Sequence, residues 1–242
     1  MNKIFFIVII LIITLFTYTT ISQSTSSEVE ECPESPYYDN PPVDPENAYN
    51  GLIYAKDLSS TEKEFHERYM RIALDKAIQH NSKFGAAIVH KNGTLMCTAA
   101  NTGDGSRILH GEIRAILNCS ELYQQTTWED YYMYTTGEPC PMCSAALLWT
   151  KFEKVIFGTF ISNMYCERCF SQLPMDADRI FRLGYGINHN AVLIGGILES
   201  QTDLLIPSVC NTGSVFSITP FCQAGWSRDC PVNNIFSDSS DF

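Results

Sequence analysis

His110-Gly111-Glu112 and Pro139-Cys140-Pro141-Met142-Cys143, with 26 residues between Glu112 and Pro139, decide how this chain reads. Each stands at the start of a helical segment. Ile113, Ile116 and Leu117 form an apolar stripe after the first, and Ala145-Ala146-Leu147-Leu148-Trp149 continues the second. Pro139 and Pro141 suit a helix opening, where a missing N–H costs little. Either motif alone is weak, because a Cys-x-x-Cys pair carries several meanings. Together and in this order they place three potential zinc ligands and one further carboxylate at two helix starts.

The surrounding sequence supplies strands to hold those starts. Phe84–His90 is apolar and β-prone, Lys91-Asn92-Gly93 gives an Asn-Gly turn, and Thr94–Ala100 returns as a second strand. Tyr131–Thr136, Val155–Phe160 and Ala191–Leu198 read as three more. Thr61-x-x-Glu64 reads as a capping box opening a helix that runs to about His80, with Phe65, Tyr69, Ile72 and Ala73 at helical spacing. About 30 residues separate the fourth and fifth strands, with a helical stretch near Asp176–Leu183. That length suits a crossover, so the last two strands are expected to be parallel. The expected fold is α/β, a five-stranded mixed sheet with helices on both faces.

The termini read differently. Lys3 and the run Ile4–Phe16, apolar but for Thr14, precede a small polar segment. This is the pattern of a secretory signal peptide, cleaved near Thr20-Ile21-Ser22, with an uncleaved signal anchor as the alternative. The expected organisation is a signal peptide over 1–22, an N-terminal linker over 23–56, a zinc-site domain over 57–207 and a Cys-containing tail over 208–242. Export to the secretory lumen or the exterior follows, with no stable membrane span after cleavage. Two sequons, Asn92-Gly93-Thr94 and Asn118-Cys119-Ser120, are candidate glycan sites. Ten cysteines need assigning. Cys32, Cys210, Cys222 and Cys230, in the flanks, are expected in disulfides, because a polar tail cannot fix itself by burial. Cys166 and Cys169 form a second Cys-x-x-Cys, read as a structural disulfide or as free thiols. Cys97 and Cys119 fall within the core. The 16 basic and 27 acidic residues give a net charge of −11 and no basic run, which argues against a large nucleic-acid surface.

Catalytic zinc takes three protein ligands and leaves one position for water. His110, Cys140 and Cys143 supply the three. The two cysteines are three apart, so one helical turn points both sulfurs the same way. A helix N-terminus favours their thiolate form. Glu112, two residues after His110, is placed to take a proton from water and return it to a substrate nitrogen. By itself it would read as a first-turn glutamate favoured by the helix dipole. His110-x-Glu112 with Pro139-Cys140-x-x-Cys143 is the signature of zinc enzymes that replace an amino group on a base ring by oxygen.

The stretch Thr61–Leu205, about 60% of the chain, resembles the cytidine and deoxycytidylate deaminase superfamily. The resemblance rests on Phe84-Gly85-Ala86-Ala87-Ile88-Val89, Asn101, His110-Gly111-Glu112, Glu138-Pro139-Cys140-Pro141-Met142-Cys143 and Gly195-Gly196-Ile197-Leu198-Glu199. The Glu-Pro-Cys-Pro-Met-Cys form is most like the guanine or guanosine deaminases and tRNA adenosine deaminases. The resemblance implies a three-layer αβα fold, a bound Zn²⁺ and hydrolytic deamination of a free nucleobase or nucleoside, purines favoured. It implies Asn101 as a substrate hydrogen-bond partner and Phe84 as a stacking residue, against the alternatives of a turn asparagine and a core phenylalanine. Ala87 and Glu138 would line the pocket through their backbones. Gly111 stands where alanine is usual, and Ser106-Arg107-Ile108-Leu109 replaces the usual lead-in to the histidine. The partners expected are a small nucleobase or nucleoside and water, with a homodimer as the candidate assembly. Three competing readings stay open: a cytosine or cytidine deaminase, a catalytically silent zinc-binding domain, and a thiol–disulfide oxidoreductase using Cys140 and Cys143.

Overall fold

The computed structural model describes residues 49–210 and 212. The signal segment, the linker before residue 49, Cys32, Cys222 and Cys230 lie outside the described residues. The chain builds one sheet in the order β1-β6-β5-β4-β2-β3. The strands are β1 (Ile53–Tyr54), β2 (Gly85–His90), β3 (Leu95–Ala100), β4 (Tyr131–Gly137), β5 (Lys154–Thr159) and β6 (Val192–Gly195). β2 pairs antiparallel with β3 and β4, whereas β4, β5, β6 and β1 run parallel. The last two strands are therefore parallel, as the long crossover required. The sheet has six strands rather than five. The extra one, β1, lies within the stretch expected to be linker, and it pairs with β6 through Ile53↔Ile194 and Tyr54↔Gly195. A two-residue strand is too short to show alternation, so only its partner defines it.

The principal helices are α1 (Ser60–Gln79), α2 (Gly111–Tyr123) and α3 (Pro141–Trp149), followed by the short α4 (Ala177–Phe181) and α5 (Glu199–Thr202). The α1 capping box sits two residues before the expected one. Ser59 Oγ accepts from the Glu62 N–H at 3.3 Å and Glu62 Oε2 accepts from the Ser59 N–H at 3.2 Å. Ser59-x-x-Glu62 repeats the Thr61-x-x-Glu64 pattern, and only packing chooses between them. The choice buries His66, Tyr69, Met70, Ala73, Leu74 and Ala77.

The two faces of the sheet hold separate cores. Tyr69, Met70 and Ala73 of α1 meet Ala87, Val89, Tyr134, Ile156 and Ile194 on one face. Ala115, Ile116 and Cys119 of α2 meet Ala86, Ile88, Met133, Leu147 and Phe157 on the other. Leu117, expected in the buried stripe of α2, is 54% exposed. The helix is instead rotated to bury Glu112 and Cys119, and Cys119 is bonded to Cys97 of β3. α1 lies very close to the start of β2. A Cβ on Gly85 would meet the Ala73 carbonyl oxygen and stand 2.8 Å from the Ala77 N. Both are helix backbone atoms that cannot swing aside. Gly85→Ala should therefore lower the thermal midpoint, by an overpacking cost of about 1–3 kcal/mol or more. An unchanged melting curve would show that α1 can retreat freely.

His66 stands between α1 and the sheet, with Nδ1 2.9 Å from the Tyr134 hydroxyl. Burial, with a smaller contribution from Lys154, pushes its imidazole down to about 4. Between pH 6.5 and that value the unfolded chain binds the proton and the folded one refuses it. Stability should thus fall with falling pH across this window by roughly 3 kcal/mol from this group. Denaturant melts of the protein and of His66→Gln, taken from pH 7 to pH 4, should diverge in slope over that range.

Candidate active site

The parallel strands end together, and the site is built beyond their carboxyl ends. β4 runs through Gly137, Glu138 and Pro139 into Cys140 at the N-cap of α3. β2 runs the other way, so its first residues lie at the same end. The Gly85 N–H donates to Thr136 Oγ1 at 3.0 Å, and the Asn101 N–H donates to the Phe84 carbonyl at 2.8 Å. The position is the one at which α/β sheets place ligands.

His110 and Cys140 are both N-caps, each with φ −63° and ψ 166°. Two helix starts of the same shape therefore face each other. His110 Nδ1 lies 3.6 Å from the sulfur of Cys140 and 3.6 Å from that of Cys143. All three ligand atoms fall within 4.8 Å of one another. Tetrahedral zinc with ordinary Zn–N and Zn–S bonds would hold nitrogen and sulfur about 3.5 Å apart. Cys140 and Cys143 are buried and unbonded to each other. Two thiols and one imidazole nitrogen form the donor set that zinc prefers, and the spacing fits it. No such arrangement is needed by a disulfide redox pair.

The protons respond to this crowding. A hydrogen bond from Cys143 is the main cause that holds the Cys140 thiol down at about 4, with the contact to His110 adding to it. Cys143 is pushed up, first by donating that bond and then by burial. Both sulfurs must be thiolates to bind a metal, so metal binding there would release protons. The hydrogen bond to Cys140 raises His110. Glu112, in the first turn of α2, is 5% exposed, and burial pushes its carboxyl up. Burial that disfavours the charged form makes a carboxylate a readier proton acceptor. Thr135, beneath it on β4, pulls it back a little without a hydrogen bond of ordinary geometry.

The remaining expected site residues divide. The Phe84 carbonyl would lie 3.3 Å from a Cβ on Gly111, and its ring covers Gly137. Phe84 therefore stands between the two motifs. Gly111 gives the Phe84 carbonyl room to approach. Asn101 sits beside Phe84, with Oδ1 accepting from the Gly103 N–H at 3.1 Å in a local turn. Ala87 is not brought to the site through its side chain. It belongs to the α1 face, and Ala86, 3.7 Å from a Cβ built on Gly111, packs toward the start of α2. The Glu138 carboxylate is committed elsewhere. It accepts from the Ile161 N–H at 2.8 Å and the Ala177 N–H at 2.7 Å, fastening the crossover to β4. Burial first, and then the neighbouring Asp176, push its carboxyl up. Met164 and Phe170, which pack against Phe84, went unnoticed in the sequence. Their only signal was the neighbouring Cys166-x-x-Cys169.

The family described as the cytidine and deoxycytidylate deaminase zinc-binding region matches residues 63–159, which contain both motifs. A tRNA-specific adenosine deaminase of Bacillus subtilis (strain 168) is 30% identical over 141 residues, covering 56% of this chain and 82% of the relative. The chain belongs to this zinc-binding deaminase family, whose curated members differ in substrate. A cytosine deaminase of Candida albicans (strain SC5314 / ATCC MYA-2876) is 34% identical over 105 residues, covering 41% of this chain and 69% of that protein. The solved structure of NE0047 in complex with 2,6-diaminopurine shares the fold, with a TM-score of 0.50 at 18% identity over 60% of this chain and 82% of that one.

Removing one sulfur should separate the roles. Cys140→Ala should lose zinc and lower the thermal midpoint, because metal binding contributes to folding. Glu112→Gln should retain one zinc per chain, which metal analysis of the purified proteins will read. Zinc retained by Cys140→Ala would remove that residue from the ligand set.

Proposed function

We propose that this protein is a secreted, zinc-dependent deaminase of a free nucleobase or nucleoside, with purines of the guanine, guanosine or adenine type preferred. The observation that carries this reading is the convergence of His110 Nδ1, Cys140 Sγ and Cys143 Sγ beside the buried Glu112. Zinc held there would supply a water that is nucleophilic near neutral pH. With zinc bound, Glu112 would be placed to take a proton from the water and carry it to the ring nitrogen beside the amino-bearing carbon. It would then carry the second proton of the same water to the amine, so that ammonia leaves and the oxygen stays on the ring. Phe84 holds the plane of the ring, and Asn101 offers an amide to its polar edge.

Purine preference draws on the fold shared with a protein solved with 2,6-diaminopurine and on the Glu138–Cys143 motif. The net charge of −11 speaks against tRNA as the substrate. The 34% identical cytosine deaminase supports cytosine as the second reading. Export is supported by the apolar run Ile4–Phe16 and by the bridges Cys97–Cys119 and Cys169–Cys210, which an oxidising compartment would preserve.

Ammonia release over guanine, guanosine, adenine, adenosine, cytosine and cytidine tests the reading. The purines should turn over fastest, and Glu112→Gln should lose about 10²–10⁴ in rate while keeping its fold. Full turnover by Glu112→Gln would exclude Glu112 from the chemistry. No ammonia from any of the six, by protein carrying zinc, would leave a silent zinc domain.

A further inference from the structure

Cys169 has φ +53°, in the left-handed region that non-glycine residues enter at a cost. Several contacts hold it there. Its sulfur is bonded to Cys210. Arg168, one residue before, donates Nε to Asn163 Oδ1 at 2.9 Å and a terminal nitrogen to the Ile206 carbonyl at 2.7 Å. Its other terminal nitrogen pairs with Asp203 Oδ2 at 3.3 Å. Asp203 in turn accepts from Asn163 Nδ2 at 2.9 Å and from Thr159 Oγ1 at 2.8 Å. The Val209 N–H closes the set on the Arg168 carbonyl at 2.9 Å. These groups come from the end of β5, the crossover and the stretch after α5, and none of them ligates the metal site.

The contacts have one shared consequence, the placing of Phe170. Its ring meets that of Phe84 with centroids 6.0 Å apart and planes at 61°, an edge-to-face contact. Phe84 in turn lies over Gly137, three residues before Cys140. A Cβ there would come 2.9 Å from the ring's Cε1, so the glycine is what admits the ring. Ile161 and Met164 complete the same cluster, and the Phe170 N–H donates to the Met164 carbonyl at 2.9 Å. A ring that must stack on a flat substrate is useful only if its own plane is fixed. Phe84 is fixed from below by the glycine gap and from the side by Phe170.

We infer that Phe170 is a positioning residue for substrate: it sets the plane of Phe84 against a planar heteroaromatic base, and the Cys169–Cys210 bridge with the Arg168–Asp203 pair is the clamp that keeps it there. The inference rests on the deaminase reading. Its ligand class is an uncharged, flat ring bound by its faces, and its effect falls on substrate affinity rather than on proton transfer or metal.

Steady-state kinetics of the zinc-loaded, full-length protein on the best base of the panel test it. Phe170→Leu keeps apolar volume and removes the ring, so KM should rise about tenfold with kcat changed less than about threefold, the size of one lost aromatic contact. Phe170→Tyr should keep KM within about twofold of the unaltered protein. Replacing both bridge residues, Cys169→Ser with Cys210→Ser, should raise KM in the same direction, and adding Phe170→Leu should raise it little further because both act on one path. Zinc content should stay at one per chain throughout. An unchanged KM in Phe170→Leu, or equal losses in Phe170→Leu and Phe170→Tyr, would sink the positioning role while leaving the deaminase reading intact. Absence of turnover by the unaltered protein would sink that reading first, and the inference with it.

Discussion

Two helix N-termini aimed at one point are the constraint on which the rest of the structure depends. His110 and Cys140 cap their helices with the same backbone geometry, and Cys143 follows one turn inside the second helix. Bringing two thiols and an imidazole within 4.8 Å buries groups that repel or desolvate one another unless something positive joins them. The two helix dipoles offset part of that cost. A Zn²⁺ ion joined to all three would offset the rest. The sheet exists in the form it does because it must hold both helix starts at one end.

Fixing those starts requires rigidity on every side. Gly85 lets α1 press onto β2, which sets where Phe84 emerges, and Gly111 lets the Phe84 carbonyl approach α2. The Cys97–Cys119 bridge ties α2, which carries Glu112, to the edge strand β3. Glu138 accepts from backbone N–H groups on the crossover through its carboxyl, so the residue that introduces the cysteines also anchors that crossover. The same residue read from sequence as a pocket liner is, in its side chain, a fastener.

The disulfides change what the crossover can do. With Cys169 bonded to Cys210, the stretch from 163 to 170 is held to the residues after α5 across 41 positions of sequence. The bridge is thus a covalent clamp beside Phe170, whose ring meets Phe84. Cys166 is disulfide-bonded as well, so the second Cys-x-x-Cys supplies two separate tethers rather than a bond within itself.

Sequence by itself determined the parts that depend on local pattern. The Asn92-Gly93 turn named the hairpin, the crossover length named the parallel pairing of β5 and β6, and the spacing of His110, Cys140 and Cys143 named the metal site, with Glu112 in the first turn after its histidine. These are legible because a helix turn or a two-residue turn fixes geometry within a few positions. Tertiary structure alone decided the rest. Whether the α1 cap falls on Ser59 or Thr61, which face of α2 is buried, whether Ala86 or Ala87 packs toward α2, and which cysteine meets Cys169 are choices between equal local patterns. Each is settled by a partner far along the chain: by Tyr134 and Gly93 for α1, by Cys97 for α2, by the zinc helices for β2, and by the residues beyond α5 for the crossover. Local propensity carries no information about such partners, and burial and covalent closure across the sheet supply it.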